Sequence, residues 1–157
     1  EGIITGEFDV AILATDEKHP NLLSLPIAEQ PIILAVPNHL PLSKQTYATL
    51  LDLQKVPLIH RDKGSSTRRI FEKALLQEKI VLSSIIEVGS REGAREASIS
   101  GLGVSYVGLH EFQPHPDITM VRIKGSKFLS KSYLIYSKEM ARLPMVKAVV
   151  DIINQQK

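Results

Sequence analysis

The sequence predicts an α/β fold with a largely parallel sheet, and three observations carry that prediction. Short apolar runs rich in β-branched residues recur along the 157 residues, as strands buried on both faces do. Between them lie segments with apolar residues at helical spacing, two of which open on Gly and hydroxyl residues in the manner of a helix start. Strand and helix alternate at lengths typical of βα units. The length fits one body with two lobes at most.

The elements follow in order. Gly6 reads as the close of a helix tail, and Phe8-Asp9-Val10-Ala11-Ile12-Leu13 as a buried strand with apolar residues on both faces. After a turn at His19-Pro20-Asn21 comes the run 22–28, and then residues 31–37 read as a short apolar strand bracketed by prolines. Thr46 can cap a short amphipathic helix through Leu50, Leu51 and Leu53. A strand at 56–60 leads through a loop into a helix from Ser66 to about Lys79 that buries Ile70, Phe71, Ala74 and Leu75. Residues 80–88 return as a strand. Gly89-Ser90 opens a second helix carrying Ala94, Ala97 and Ser98, small enough to lie close on a sheet, and Gly101 ends it. Strands at 102–107, 118–123 and 132–136 precede a last helix that starts near Pro144 and buries Met145, Val149, Ile152 and Ile153.

Composition excludes several functions. Hydrophobic residues make up 43% and charged residues 23%, a globular balance rather than a disordered one. Nineteen Lys plus Arg against seventeen Asp plus Glu leave a net charge of +2, too little to indicate nucleic acid. The basic run Lys124, Lys127, Lys131 and Lys138 reads as a solvated hairpin face. Cys is absent, which removes disulfides, thiol nucleophiles and thiolate metal sites and suits the cytoplasm. No apolar run approaches the ~18–20 residues that span a bilayer. Glu1-Gly2-Ile3-Ile4-Thr5-Gly6 offers no export signal. A start without Met, inside an element, predicts a piece of a longer protein whose exposed strand at 8–13 promotes self-association.

Two places share one pattern: strand end, Gly, hydroxyl residues, Arg, helix. They are Lys63-Gly64-Ser65-Ser66-Thr67-Arg68 and Gly89-Ser90-Arg91-Glu92. Helix N-termini aim free N–H groups outward, and ligands of open α/β sheets gather at the carboxyl ends of strands. The candidate ligand residues are therefore Gly64, Ser65, Ser66, Thr67, Arg68, Ser90 and Arg91, a cradle for a carboxylate or phosphonate, with Glu92 a candidate for an amine. The plain alternative makes Ser66 and Ser90 ordinary caps and leaves the arginines in water. Gly64 to Arg68 is no P-loop, and Gly101-Leu102-Gly103 lacks the third Gly of a dinucleotide fingerprint, so no cofactor is expected. His110 and His115 are separated by Pro114 and share no helix face, and no metal is expected either. Asp9, Asp52, Asp62 and Glu92 form no acid–base pair, and no catalytic residues are assigned.

Four segments in order resemble the effector-binding domain of LysR-type transcriptional regulators: 8–12, Val36-Pro37-Asn38-His39-Leu40-Pro41-Leu42, Leu58-Ile59-His60-Arg61 with Gly64–Arg68, and Gly101-Leu102-Gly103-Val104. Residues 88–97 are similar to regulators associated with aminoethylphosphonate catabolism. The resemblance implies a non-enzymatic sensor with two lobes of the type 2 periplasmic-binding-protein-like fold and a small effector in their cleft, which the cradle makes anionic. Residues 33–113 would form lobe two, and 1–32 with 114–157 a lobe one truncated at its N-terminal side. It further implies a dimer or tetramer that reaches DNA only through a winged helix-turn-helix absent here, and no membrane. Ser98, Ser100 and Leu40 depart from the family pattern, outside the cradle. Rival readings are a periplasmic solute receptor of a transporter and a small α/β enzyme using the same cradle.

Overall fold

The computed structural model describes residues 2–14, 19–125 and 128–155. Lys127 of the basic run lies outside them. The chain forms two compact units, residues 1–29 with 131–157 and residues 30–130.

In the first unit, strand β1 (Val10–Leu13) pairs antiparallel with β8 (Leu129–Ser137), placing Val10 opposite Tyr136 and Leu13 opposite Tyr133. Helix α3 (Pro144–Gln155) begins on its proline, whose missing N–H costs nothing at that position. Ile3, Leu134, Ile135 and Val146 are buried here. Residues 2–6 form turns, with Gly6 at φ +74°, rather than the expected helix tail. The predicted buried face of α3 is also corrected: Val146 is its buried residue, whereas Met145 and Ile152 are exposed.

β2 (Leu22–Pro37) is one strand of 16 residues that runs through Pro31, where the sequence places the start of a short strand. Proline fixes φ at a value that extended backbone tolerates, so Pro31 removes one donor without ending the strand. Pairing is regained at once, as the Ile32 N–H donates to the Phe128 carbonyl at 2.8 Å.

In the second unit the later half of β2 pairs antiparallel with β6 (Ser105–Gly108) on one side and β7 (Ile118–Ile123) on the other. β3 (Tyr47–Ala48) runs parallel to β7, and β4 (Leu58–Arg61) parallel to β5 (Ile85–Val88). A parallel bridge from Leu58 to Val104 ties the second pair to the rest. The sheet is thus mixed, not largely parallel, because β6 and β7 both return against β2. The expected helix after Thr46 is also replaced, by β3 and a 3-10 turn over Leu50–Lys55. Thr49 caps that turn: its N–H and hydroxyl donate to Asp52 at 2.8 and 2.7 Å, and the hydroxyl bond leads the causes that hold the Asp52 carboxyl below the usual range.

Strand alternation then sets the faces. Leu58, Val104 and Tyr106 pack with Phe71, Ala74 and Leu75 of helix α1 (Ser66–Gln77), while Ile59 packs with Ala94 and Ala97 of helix α2 (Arg91–Ile99). The helices lie on opposite faces, with both N-termini beyond the carboxyl ends of β4 and β5. Gly103 is required where it lies, since a Cβ there would stand 2.5 Å from the Pro57 carbonyl oxygen.

Candidate functional site

The β4–α1 connection is built around Ser65. Its N–H donates to the Asp62 carbonyl at 3.1 Å, and its hydroxyl accepts from the Arg68 N–H at 3.3 Å. The helix starts at Ser66 as expected, and its cap is Ser65, one position before the Ser66 of the plain alternative. At α2 the cap falls on Ser90 as expected, its hydroxyl accepting from the Gly93 N–H at 2.9 Å.

The two arginines that follow have different fates. Arg68 is buried, and its guanidinium donates to Glu72 at 2.7 Å, Glu87 at 2.8 Å and the Arg61 carbonyl at 2.5 Å. The Glu72 bond, then the Glu87 bond, holds its pKa above the usual arginine value. Arg91 is half exposed; it meets Glu111 at 2.6 Å and Glu92 at 3.6 Å, and the Glu111 bond leads the causes that raise its pKa. A partly exposed pair of this kind is worth at most about 1 kcal/mol. Glu92 is largely exposed and held below its usual pKa first by its own backbone N–H.

Beside α2 the second unit has a cavity of about 50 Å³. Ala35, Ser105 and Val107 contribute to its apolar and hydroxyl lining, Thr67 and Arg91 come to it from the two helix starts, and Arg61, Arg95 and Glu111 complete its charged rim. Of the sequence candidates, Thr67 and Arg91 are thus brought together. Ser65 and Ser90 are engaged as caps, Arg68 points into its own ion-pair cluster, and Gly64 and Ser66 lie in the turn and first helical position beside Thr67. The buried Nε–H groups of Arg61 and Arg95 have no acceptor among the described residues. Such orphaned donors are uncommon in folded proteins. Among the described residues no cluster of His, Asp or Glu has the makings of a metal site.

Sequence reasoning missed Arg61, Arg95 and Glu111. Arg95 was within reach, because a residue four positions after Arg91 shares its helix face. Arg61 ends β4 on the face opposite His60, an alternation that is also readable.

Behind the site, His60 is buried and its Nδ1 lies 2.6 Å from the Tyr106 hydroxyl; Tyr106 stacks on Phe71 with ring centroids 4.1 Å apart. Burial, then the Arg68 charge, pushes the His60 pKa down, and burial pushes that of Tyr106 up. The unfolded chain accordingly takes up a proton near pH 6.5 that folded His60 resists, so stability should fall as pH drops below that value. Melting temperatures from pH 8 to 5 check this. His60→Gln should flatten the acid limb, and an unchanged limb would rule the group out.

The family model described as the LysR substrate binding domain matches residues 1–157, and the chain belongs to that family. The RuBisCO operon transcriptional regulator of Acidithiobacillus ferrooxidans is 24% identical over 156 residues, 98% of this chain and 50% of the relative. The chain spans about half the length of the curated relatives it matches. The regulatory domain of Synechocystis PCC6803 CcmR, solved in complex with 2-PG, superposes with a TM-score of 0.84 at 18% identity, covering 97% of this chain and 74% of that one. The effector-binding domain of QuiR in complex with shikimate gives 0.85 at 21% identity, covering 97% and 73%. The fold is the type 2 periplasmic-binding-protein-like α/β fold of LysR effector-binding domains. No helix among the described residues is long and apolar enough to cross a membrane.

Proposed function

We propose that this chain is the non-enzymatic, effector-sensing part of a cytoplasmic LysR-type regulator and that it takes a small anionic metabolite, a carboxylate or phosphonate, on the second unit. The cradle is Gly64, Ser65, Ser66, Thr67, Arg68, Ser90 and Arg91. Thr67 and Arg91 face the ligand, Ser65 and Ser90 fix the helix starts, and Arg68 acts through the Arg61 carbonyl that it holds. The observation that carries the reading is the meeting of Thr67 and Arg91 with Arg61 and Arg95 around one cavity. The relatives are transcriptional regulators, and solved members of the fold hold 2-PG and shikimate, which supports a small-molecule effector. The narrower reading, aminoethylphosphonate with Glu92 on its amine, rests on residues 88–97 alone, and nothing in the comparisons supports it.

A charge-assisted bond contributes about 1.5–3 kcal/mol, so losing one should weaken binding about tenfold or more. Calorimetric titration of wild type, Thr67→Ala and Arg91→Ala with phosphonates and carboxylates tests the site. Unchanged affinity in both variants would remove it. In the whole regulator the ligand acts only if it binds two conformations unequally, biasing an oligomer that reaches DNA through a further domain. Homo-oligomerisation of this chain is part of the same reading, supported by Phe8, Ile12 and Leu13, which leave 55%, 68% and 46% of their surface exposed. Sedimentation at low micromolar concentration should give species above the monomer, and a strictly monomeric chain would contradict it.

A further inference from the structure

We propose that Glu111 is a built-in counter-ion, holding Arg91 until an oxyanion ligand displaces it. The inference rests on the reading of the cavity as an anion site and says how that site is kept closed. Arg91 has one close partner, Glu111 at 2.6 Å, and both side chains are well exposed, at 52% and 36%. Arg68, buried on three acceptors, has no comparable freedom.

The other carboxylate oxygen of Glu111 accepts from Gln30 Nε2 at 2.9 Å, and Gln30 Oε1 in turn accepts from the His110 N–H at 2.8 Å. Gln30 is buried and pressed against Gly108, where a Cβ would come within 2.5 Å of its amide, so its amide has little room to move. Glu111 is thereby tethered, with one oxygen for Arg91 and the other spent on Gln30. It leaves the Nε–H groups of Arg61 and Arg95 without acceptors although all three arginines line the same cavity. A free oxyanion has oxygens to spare for more than one guanidinium. Its bidentate, charge-assisted bonds are stronger than the single one that it replaces. The 50 Å³ of room is well above the roughly 10–15 Å³ that a single water needs, so a phosphate or carboxylate group can enter.

The test is calorimetric titration of wild type, Glu111→Gln and Arg95→Met with inorganic phosphate and with succinate, with circular dichroism to confirm folding. Glu111→Gln keeps an acceptor for Gln30 while freeing Arg91. It should bind at least one of the two anions tenfold or more tighter than wild type, and Arg95→Met should bind it tenfold or more weaker. Equal or weaker binding by Glu111→Gln, with Arg95→Met still impaired, overturns the displacement and leaves the anion site standing. Absence of binding in all three proteins at millimolar anion overturns both.

Discussion

Phe71→Ala should cost about 3–5 kcal/mol of folding stability, the range for truncating a buried aromatic in a close-packed core. Phe71 has no exposed surface, stacks within 4° of parallel on Tyr106 and touches Phe128 at 6.1 Å between centroids. Alanine would leave a void between α1 and the sheet. The Tyr106 ring would lose the partner that holds its hydroxyl on His60. Because α1 also presents Thr67 to the cavity, anion affinity should fall along with stability. Urea unfolding followed at 222 nm gives the number; a loss under about 1.5 kcal/mol would mean that the core closes around the gap.

Arg68 yields the second large effect, through charge instead of volume. Removing one member of a fully buried ion pair costs about 3–5 kcal/mol. Here Glu72 and Glu87 are 48% and 53% exposed and can regain water, which lowers the expectation for Arg68→Met to about 2 kcal/mol. Most of that loss lies at the Arg61 carbonyl, which loses a donor, so the β4–α1 turn should loosen. Glu72→Gln and Glu87→Gln should each cost under about 1 kcal/mol, as exposed partners do. The three proteins compared by thermal unfolding test the assignment. Equal losses in all three would show that the carboxylates, and not the guanidinium, organise the cluster.

How far the sequence could be read follows from the range of each interaction. α1, α2 and the strands between them were legible because their signals are local: apolar spacing at Phe71, Ala74 and Leu75, small residues at Ala94 and Ala97, and Ser90 before a helix. Gly101 after α2, at φ +79°, also ends its helix as its position suggests. Strand direction was not legible, since antiparallel partners such as Ile33 and Arg122 lie far apart in the chain and composition carries no sense of direction. α3 has overlapping apolar stripes, and only the packing around Val146 decides which one is buried. The strand expected over 80–88 shortens to Ile85–Val88, the four residues that pair with β4, and nothing local in the apolar run from Ile80 marks where that pairing starts. At the site, the helix starts were local and readable. The partner of Arg91 was not, because Glu111 stands 20 residues away on a turn that only the fold brings near.

The central claim is that the second unit binds a small oxyanion where the two helix starts meet the cavity. Backbone amide shifts recorded by NMR during titration with inorganic phosphate and succinate test it most directly. The account predicts saturable shifts, for at least one of the two anions, concentrated at residues 61–67, 90–95 and 105–113, with the Arg61, Arg91 and Arg95 side-chain N–H signals moving together. Shifts that fail to saturate, or that map to β1, β8 and α3, would contradict it.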